Sequence, residues 1–299
     1  MEQDTIQAYI SEHQQLLKVA LAQIPADLVI KGGTLLNTYS GELMPDCDVV
    51  ISNGKVARIG SSEDTIGVDT EVIDAKNLFI VPGFIDSHYH IESSLLSPIR
   101  HAEITLPIGL TSLFHGTHEI ANVLGTKALE WLAECDQILP QRIFLTVPSA
   151  VPPSNIETTG AWIGSDQIHQ MKDITVGLGE VMDFHRLCAG DERLWSVIAA
   201  ANVNNLIIEG HGSYFSPEAD AFVASGMRSS HTIRSGPEAI ELLRRGCDLQ
   251  LQVERGKHVL ETLLAMGFKD WHRIGLAVDD RTADQILKVG LIDYEMRLA

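Results

Sequence analysis

Val81-Pro82-Gly83-Phe84-Ile85-Asp86-Ser87-His88-Tyr89-His90 is an apolar run that leaves a glycine turn and ends in two histidines one residue apart. In an extended backbone residues i and i+2 point to the same face, so His88 and His90 aim both imidazoles at one place. Converging imidazoles are what a metal ion requires. The turn at Gly83 and the apolar run make this a parallel strand with its ligands at the carboxyl end, where barrel enzymes keep their chemistry.

Downstream the pattern repeats. Apolar strand candidates lie at residues 84–86, 111–114, 143–147, 176–178, 206–208, 227–229, 249–253 and 274–278. Helical stretches fall between them, among others at 128–136, 194–201, 237–245 and 259–266, the third with Pro237 early, where a missing N–H is harmless. Eight strands alternating with helices predict a (β/α)8 barrel. Ahead of it, residues 5–23 carry a helical spacing of apolar side chains, broken by Pro25. Residues 27–80 hold short β-branched runs at 28–31, 48–52, 55–59, 71–73 and 78–81, with Asn53-Gly54 as a hairpin turn between the second and third. The expected organisation is a helical segment over 1–25, part of a small β-sandwich over 26–81, and the barrel over 82–299.

The polar residues just past each strand form a series: His88 and His90; His115, His118 and Glu119; Glu180; Glu209-Gly210-His211; His231; Asp279-Asp280. In a barrel these tips share one face. Several imidazoles with two carboxylates suit two divalent cations, one carboxylate bridging them. Asp279, first after its strand, is the expected functional acid; Asp280 is expected to cap the following helix. His115 and His185 are expected to support or pack against the site. His101, His169, His258 and His272 are expected on solvated helical surfaces.

Composition narrows the class. With 299 residues and 45% hydrophobic content, the chain can bury a substantial core. A net charge of −18 excludes a nucleic-acid footprint. No apolar run reaches the roughly 20 residues of a membrane span, and Met1-Glu2-Gln3-Asp4 is unlike a targeting peptide. Cys47, Cys135, Cys188 and Cys247 have no metal or disulfide spacing, so reduced, mostly buried thiols in a cytoplasmic protein are expected.

Several segments carry a family resemblance: Ala26-Asp27-Leu28-Val29-Ile30-Lys31-Gly32-Gly33, Pro82 through Ser94, Thr105-Leu106-Pro107, His118-Glu119-Ile120-Ala121-Asn122-Val123, Pro148-Ser149-Ala150-Val151-Pro152, Gly177-Leu178-Gly179-Glu180-Val181-Met182 and Asp279-Asp280-Arg281. From about residue 16 onward the chain resembles the adenine deaminases of the amidohydrolase superfamily. The resemblance implies a metal-dependent hydrolase barrel with an N-terminal β-sandwich portion. His88 and His90 would ligate the first of two divalent ions, manganese or iron with zinc admissible. Glu180 would bridge both, in place of the carbamylated lysine of other amidohydrolases. His211 and His231 would ligate the second ion, and Asp279 would be ligand and proton shuttle. The implied reaction is hydrolytic deamination of adenine or a related 6-amino purine by metal-activated hydroxide, with His118 and Glu119 polarising the ring or relaying protons. The implied partners are a small amino-purine and further copies of the chain in a homo-oligomer. A cyclic-amide hydrolase of the same superfamily and an inactive metal-binding homologue are the alternatives.

Two departures qualify the resemblance. Where members carry Asp-Gly-His-Ala/Cys-Pro after strand five, this chain has Glu209-Gly210-His211-Gly212-Ser213; the His-Glu pair near strand six is His231-Thr232; and the Arg-Glu-Gly after strand seven is replaced by Gln252-Val253-Glu254-Arg255-Gly256. These loops would touch the substrate. The chain also ends at Ala299, within the eighth helix, where the family continues, so a truncated form is expected.

Overall fold

The computed structural model describes residues 2–154 and 156–299; Met1, the first residue of the expected helical segment, and Asn155 lie outside them. The chain divides into two compact units, Met1–Pro82 and Gly83–Ala299.

In the first unit a helix spans Glu2–Ala20, and a five-stranded sheet is built from β1 (Leu28–Asn37), β2 (Glu42–Ser52), β3 (Lys55–Gly60), β4 (Glu71–Asp74) and β5 (Phe79–Ile80). Its order is β3-β2-β1-β4, with β5 also on β1. Asn53 and Gly54 form the turn that lets Ser52 pair with Lys55; both have positive φ, 48° and 70°, as a two-residue hairpin with the strands' own twist requires. Val19 of the helix packs with the fully buried Val29 and Val50 of the sheet. Leu35, Cys47 and Val49 form a second small cluster.

The second unit is a barrel of eight strands: β6 (Phe84–Tyr89), β7 (Leu110–Gly116), β8 (Arg142–Val147), β9 (Gly177–Val181), β10 (Ile207–Gly210), β11 (Ser229–Ser230), β12 (Asp248–Leu251) and β13 (Ile274–Leu276). They pair in chain order, and every pair is parallel. Helices Thr126–Ile138, Glu192–Val203, Gly236–Arg244 and Val253–Ala265 overlap the expected stretches. Pro237 lies in the first turn of its helix, where Ser235 Oγ accepts from the Glu238 amide. Aliphatic residues such as Leu178, Val197, Ile208 and Leu242 fill the space between strands and helices.

Closure between the last strand and the first is what builds the site. No regular ladder joins β13 to β6. Instead the Asp279 amide donates to the His88 carbonyl at 3.0 Å, and the His90 amide donates to the Asp279 carbonyl at 3.2 Å. Ser87 Oγ donates to the Leu276 carbonyl, and Asp86 Oδ1 accepts from the amides of His88 and Val278. Asp86 is fully buried, and burial pushes its carboxyl up to about 7. The seam therefore fastens Asp279 beside both histidines of the opening motif.

Two expectations are corrected here. His101 is fully buried, packed against the Tyr89 ring at 5.1 Å, and not on a solvated face. Its helix, Pro98–Thr105, is amphipathic, and His101 falls on the inward side with Ala102 and Thr105. Asp280 does not cap the last-but-one helix: Thr282 does, in a capping box with Gln285, while Asp280 accepts a hydrogen bond from Ser93 Oγ. His169, His258 and His272 are exposed as expected. Cys47, Cys135 and Cys247 are buried and Cys188 is exposed; all four are free.

Candidate metal centre and active site

The strand tips converge. His88 is the last residue but one of β6 and His90 follows the strand; their Nε2 atoms lie 3.1 Å apart. Two ring nitrogens this close repel unless a proton or a cation lies between them. Glu180, the fourth residue of β9, is 6% exposed and reaches the middle of the cluster. Its Oε1 lies 3.7 Å from His88 Nε2, 3.5 Å from His90 Nε2 and 3.7 Å from His118 Nδ1. Its Oε2 faces the other way, 3.2 Å from His231 Nε2 and in hydrogen-bond contact with His211 Nδ1. One carboxylate thus offers one oxygen to each of two histidine pairs.

Asp279 completes the first group, with Oδ1 3.8 Å from His88 Nε2 and 3.5 Å from His90 Nε2. Its φ of 69° is a left-handed value that Asp and Asn tolerate better than other side chains. Gln252 Nε2 donates to Asp279 Oδ2 at 3.0 Å, and Arg255 Nη1 lies 3.4 Å from the same oxygen. Among the described residues four overlapping ligand sets result: His88, His90 and Glu180; His88, His231 and Asp279; Glu180, His211 and His231; His90, His118 and Glu119. Metal–ligand bonds of about 2.0–2.2 Å place neighbouring ligand atoms roughly 3–4 Å apart, which is the spacing found here. The residues fit divalent cations by atom type and by distance.

Second contacts orient the imidazoles. His90 Nδ1 is 2.9 Å from the Gly116 carbonyl and 3.4 Å from Glu119 Oε2. Gly116 is required: a Cβ there would lie 2.4 Å from His90 Cε1. His88 stacks on His231 with centroids 3.8 Å apart, and its Nδ1 meets Glu209 Oε1 at 3.5 Å. Glu209 in turn accepts from Gln250 Nε2, which also donates to the Ser87 carbonyl.

Burial by itself raises the Glu180 carboxyl, yet His211, His231 and His90 hold it well below the usual carboxylate range. Glu119 is likewise held down to about 2 against burial, by His90 and His118. Burial disfavours a charged His90, but Glu119 and Glu180 raise it well above an ordinary histidine. His231 is lowered by burial and by His88. The carboxylates are thus ionised at neutral pH, the form in which they ligate cations.

The residues expected from the sequence to be ligands or catalytic groups, His88, His90, His118, Glu119, Glu180, His211, His231 and Asp279, meet at this mouth. His185 is exposed, in ring contact among the described residues with Phe184 alone, and lies outside the cluster. His115 is fully buried with Nε2 3.1 Å from Glu92 Oε2. Sequence reasoning counted Glu209 among the polar strand tips and Gln252 in a substrate loop without giving either a supporting role, and it missed Gln250. The signal was present: Glu209 is two residues before His211 and Gln250 two before Gln252, so each shares the inward face one layer deeper.

A model of the amidohydrolase family matches residues 79–291. The chain belongs to the amidohydrolase family. This family is metal-dependent, in keeping with the His/Glu cluster. The chain is 35% identical over 294 residues to an adenine deaminase of Listeria monocytogenes, covering 97% of this chain and 50% of that protein. An adenine deaminase of Moorella thermoacetica is 33% identical over 298 residues, covering 96% of this chain and 49% of its own length. The chain spans about half the length of the curated relatives it matches. Among solved amidohydrolase-like structures, a Xaa-Pro dipeptidase superposes with a TM-score of 0.61 at 13% identity, covering 91% of this chain and 84% of that one. A dihydroorotase does so at 0.55 and 19%, covering 87% and 73%. These two speak to the fold alone. Among the described residues, no helix is long and apolar enough to cross a membrane.

Proposed function

We propose that the chain carries the catalytic barrel of a metal-dependent aminohydrolase that converts adenine or a related 6-amino purine to the 6-oxo purine and ammonia. The observation that carries this reading is Glu180, whose two oxygens face separate histidine pairs in a chain similar to adenine deaminases over 97% of its length. His88, His90 and Asp279 would hold one cation and His211 and His231 the other, with Glu180 shared. Manganese or iron suits these nitrogen and oxygen donors. Such a pair supplies Lewis acidity and hydroxide from water near neutral pH.

The protein's own part is proton handling and orientation. Gln252 holds Asp279 Oδ2, leaving Oδ1 toward the histidines. Asp279 accepts the proton of the attacking water as the C6–O bond forms, then returns it to the amine as the C6–N bond breaks. His118 and Glu119, about a quarter and a third exposed, line the mouth where they orient the ring or relay protons. We further infer that residues 26–81 are part of a small β-sandwich and that the four free thiols belong to a reducing, cytoplasmic setting.

The test is ammonia release from adenine by manganese-reconstituted protein, with the ultraviolet spectrum reporting whether the ring stays closed. Asp279→Asn, which keeps the left-handed backbone, is expected to lose about 10²–10⁴-fold in kcat and retain its metal. Ring opening points to cyclic-amide hydrolysis instead. Two bound metals with no turnover of any amino-purine point to an inactive homologue.

A further inference from the structure

Beside the metal ligands, at the same mouth, a pocket of about 250 Å³ is lined by His231, Thr232, Arg234, Gln252, Arg255 and Asp279, with Ile233 and Leu251 as apolar wall. Three of these groups have no work in the chemistry above. The Arg234 guanidinium makes no hydrogen bond or ion pair among the described residues, although its backbone is fixed: its amide donates to Ser213 Oγ and its carbonyl meets His258 Nε2. Arg255 Nη1 donates to Gln252 Oε1 at 2.8 Å and is otherwise near only Asp279. Thr232 Oγ1 is shielded from solvent and has no hydrogen-bond partner among the described residues.

The chain as a whole carries 40 acidic and 22 basic residues, yet among the described residues Asp279 is the only acid lining this pocket. Asp279 already faces His88 and His90. Two guanidinium groups beside a partly apolar cleft raise the local potential and draw anions. Their planar forks match a carboxylate or phosphate, and a hydroxyl supplies a further donor. Both arginines are exposed, so an uncharged purine leaves their guanidinium groups in water and draws nothing from them, whereas an anion pairs with both.

We propose that the substrate is an anionic amino-heterocycle, an aminopurine-like ring bearing a carboxylate or phosphate that Arg234, Arg255 and Thr232 hold while the amine-bearing carbon faces Asp279. This rests on the aminohydrolase reading and names its substrate class.

The test uses the metal-loaded chain and two matched pairs of probes: adenin-9-ylacetate against its carboxamide, and adenosine 5′-phosphate against adenosine. Calorimetry reads binding and ammonia release reads turnover. In at least one pair the acid is expected to bind about 10–100-fold tighter than its neutral partner, as a charge-assisted hydrogen bond provides. The pair that responds identifies the anion as carboxylate or phosphate. Arg234→Gln brings the ratio to within about twofold of unity, Arg234→Lys restores part of it, and Thr232→Val lowers it by about threefold. Added salt narrows it in the wild type.

Equal binding of acid and neutral partners in both pairs, or a preference that survives Arg234→Gln, overturns the proposal. Deamination of adenine without any preference for acids overturns it while leaving the aminohydrolase reading intact. Tight, Arg234-dependent binding of an acid with no ammonia from any probe does the reverse.

Discussion

Glu209 is the most instructive position to perturb, because it touches no substrate in the proposed chemistry and yet stands behind His88, a proposed metal ligand. Its Oε1 lies 3.5 Å from His88 Nδ1, the ring nitrogen turned away from the cluster. Burial raises its carboxyl, but His88 and the Gln250 amide more than offset this, so it stays ionised below the usual carboxylate range. An anion at that position fixes the tautomer with the proton on Nδ1 and raises the basicity of Nε2. Glu209→Gln keeps the shape and removes the charge. Loss of such an outer partner weakens metal affinity by about 10–100-fold, or roughly 1.4–2.7 kcal/mol. His88 and His231 stay stacked, so the fold should be retained. The assay is competition for manganese against a chelator of known affinity, with circular dichroism of the metal-free protein as the control. An affinity within twofold of wild type, in a variant with unchanged dichroism, would refute the claim that Glu209 tunes His88.

Other perturbations reach different parts of the argument. Gly116→Ala places a methyl 2.4 Å from His90 Cε1 and displaces that imidazole; ammonia release is expected to fall by about 10²-fold or more with the melting temperature little changed. Burial, with His115 nearby, lowers His101 to about 4, so the folded chain refuses a proton that the unfolded chain takes up near pH 6.5. That contribution is complete above pH 6.5 and is lost as pH falls toward 4, costing up to about 3 kcal/mol; thermal melts of His101→Phe across this range should be flatter than those of the wild type. Arg281→Ala strands Glu295, a carboxylate 1% exposed whose Oε1 lies 2.8 Å from the guanidinium. Breaking a buried pair costs about 3–5 kcal/mol, readable as a shift of the urea midpoint.

The local grammar of the chain was legible without coordinates. Expected strand runs overlapped each of the thirteen strands among the described residues, by a single residue at β11, because side-chain alternation and turn residues such as Asn53-Gly54 act over two to five positions. The i, i+2 spacing of His88 and His90 set their shared face, and the position of Glu180 near the carboxyl end of β9 set its depth. His101 was misplaced because its helix presents a mixed face: a histidine beside Ala102 reads as solvent-facing until Tyr89 is seen to cover it. Asp280 was misread as a cap because Asp and Thr serve equally well by type, and only the chain path shows that Thr282 stands at the first turn.

What the sequence determined by itself was therefore the inventory and order: eight parallel strands, their polar tips, and the atoms available there. Which of those atoms meet was decided by tertiary structure. The fastening of Asp279 to His88 and His90, the division of Glu180's oxygens between two histidine pairs, and the seat of Glu209 behind His88 all depend on barrel closure and strand register. Periodicity fixes the direction of a side chain relative to its own strand, whereas distances between residues such as His88 and Asp279, 191 positions apart, exist only once the sheet has closed on itself.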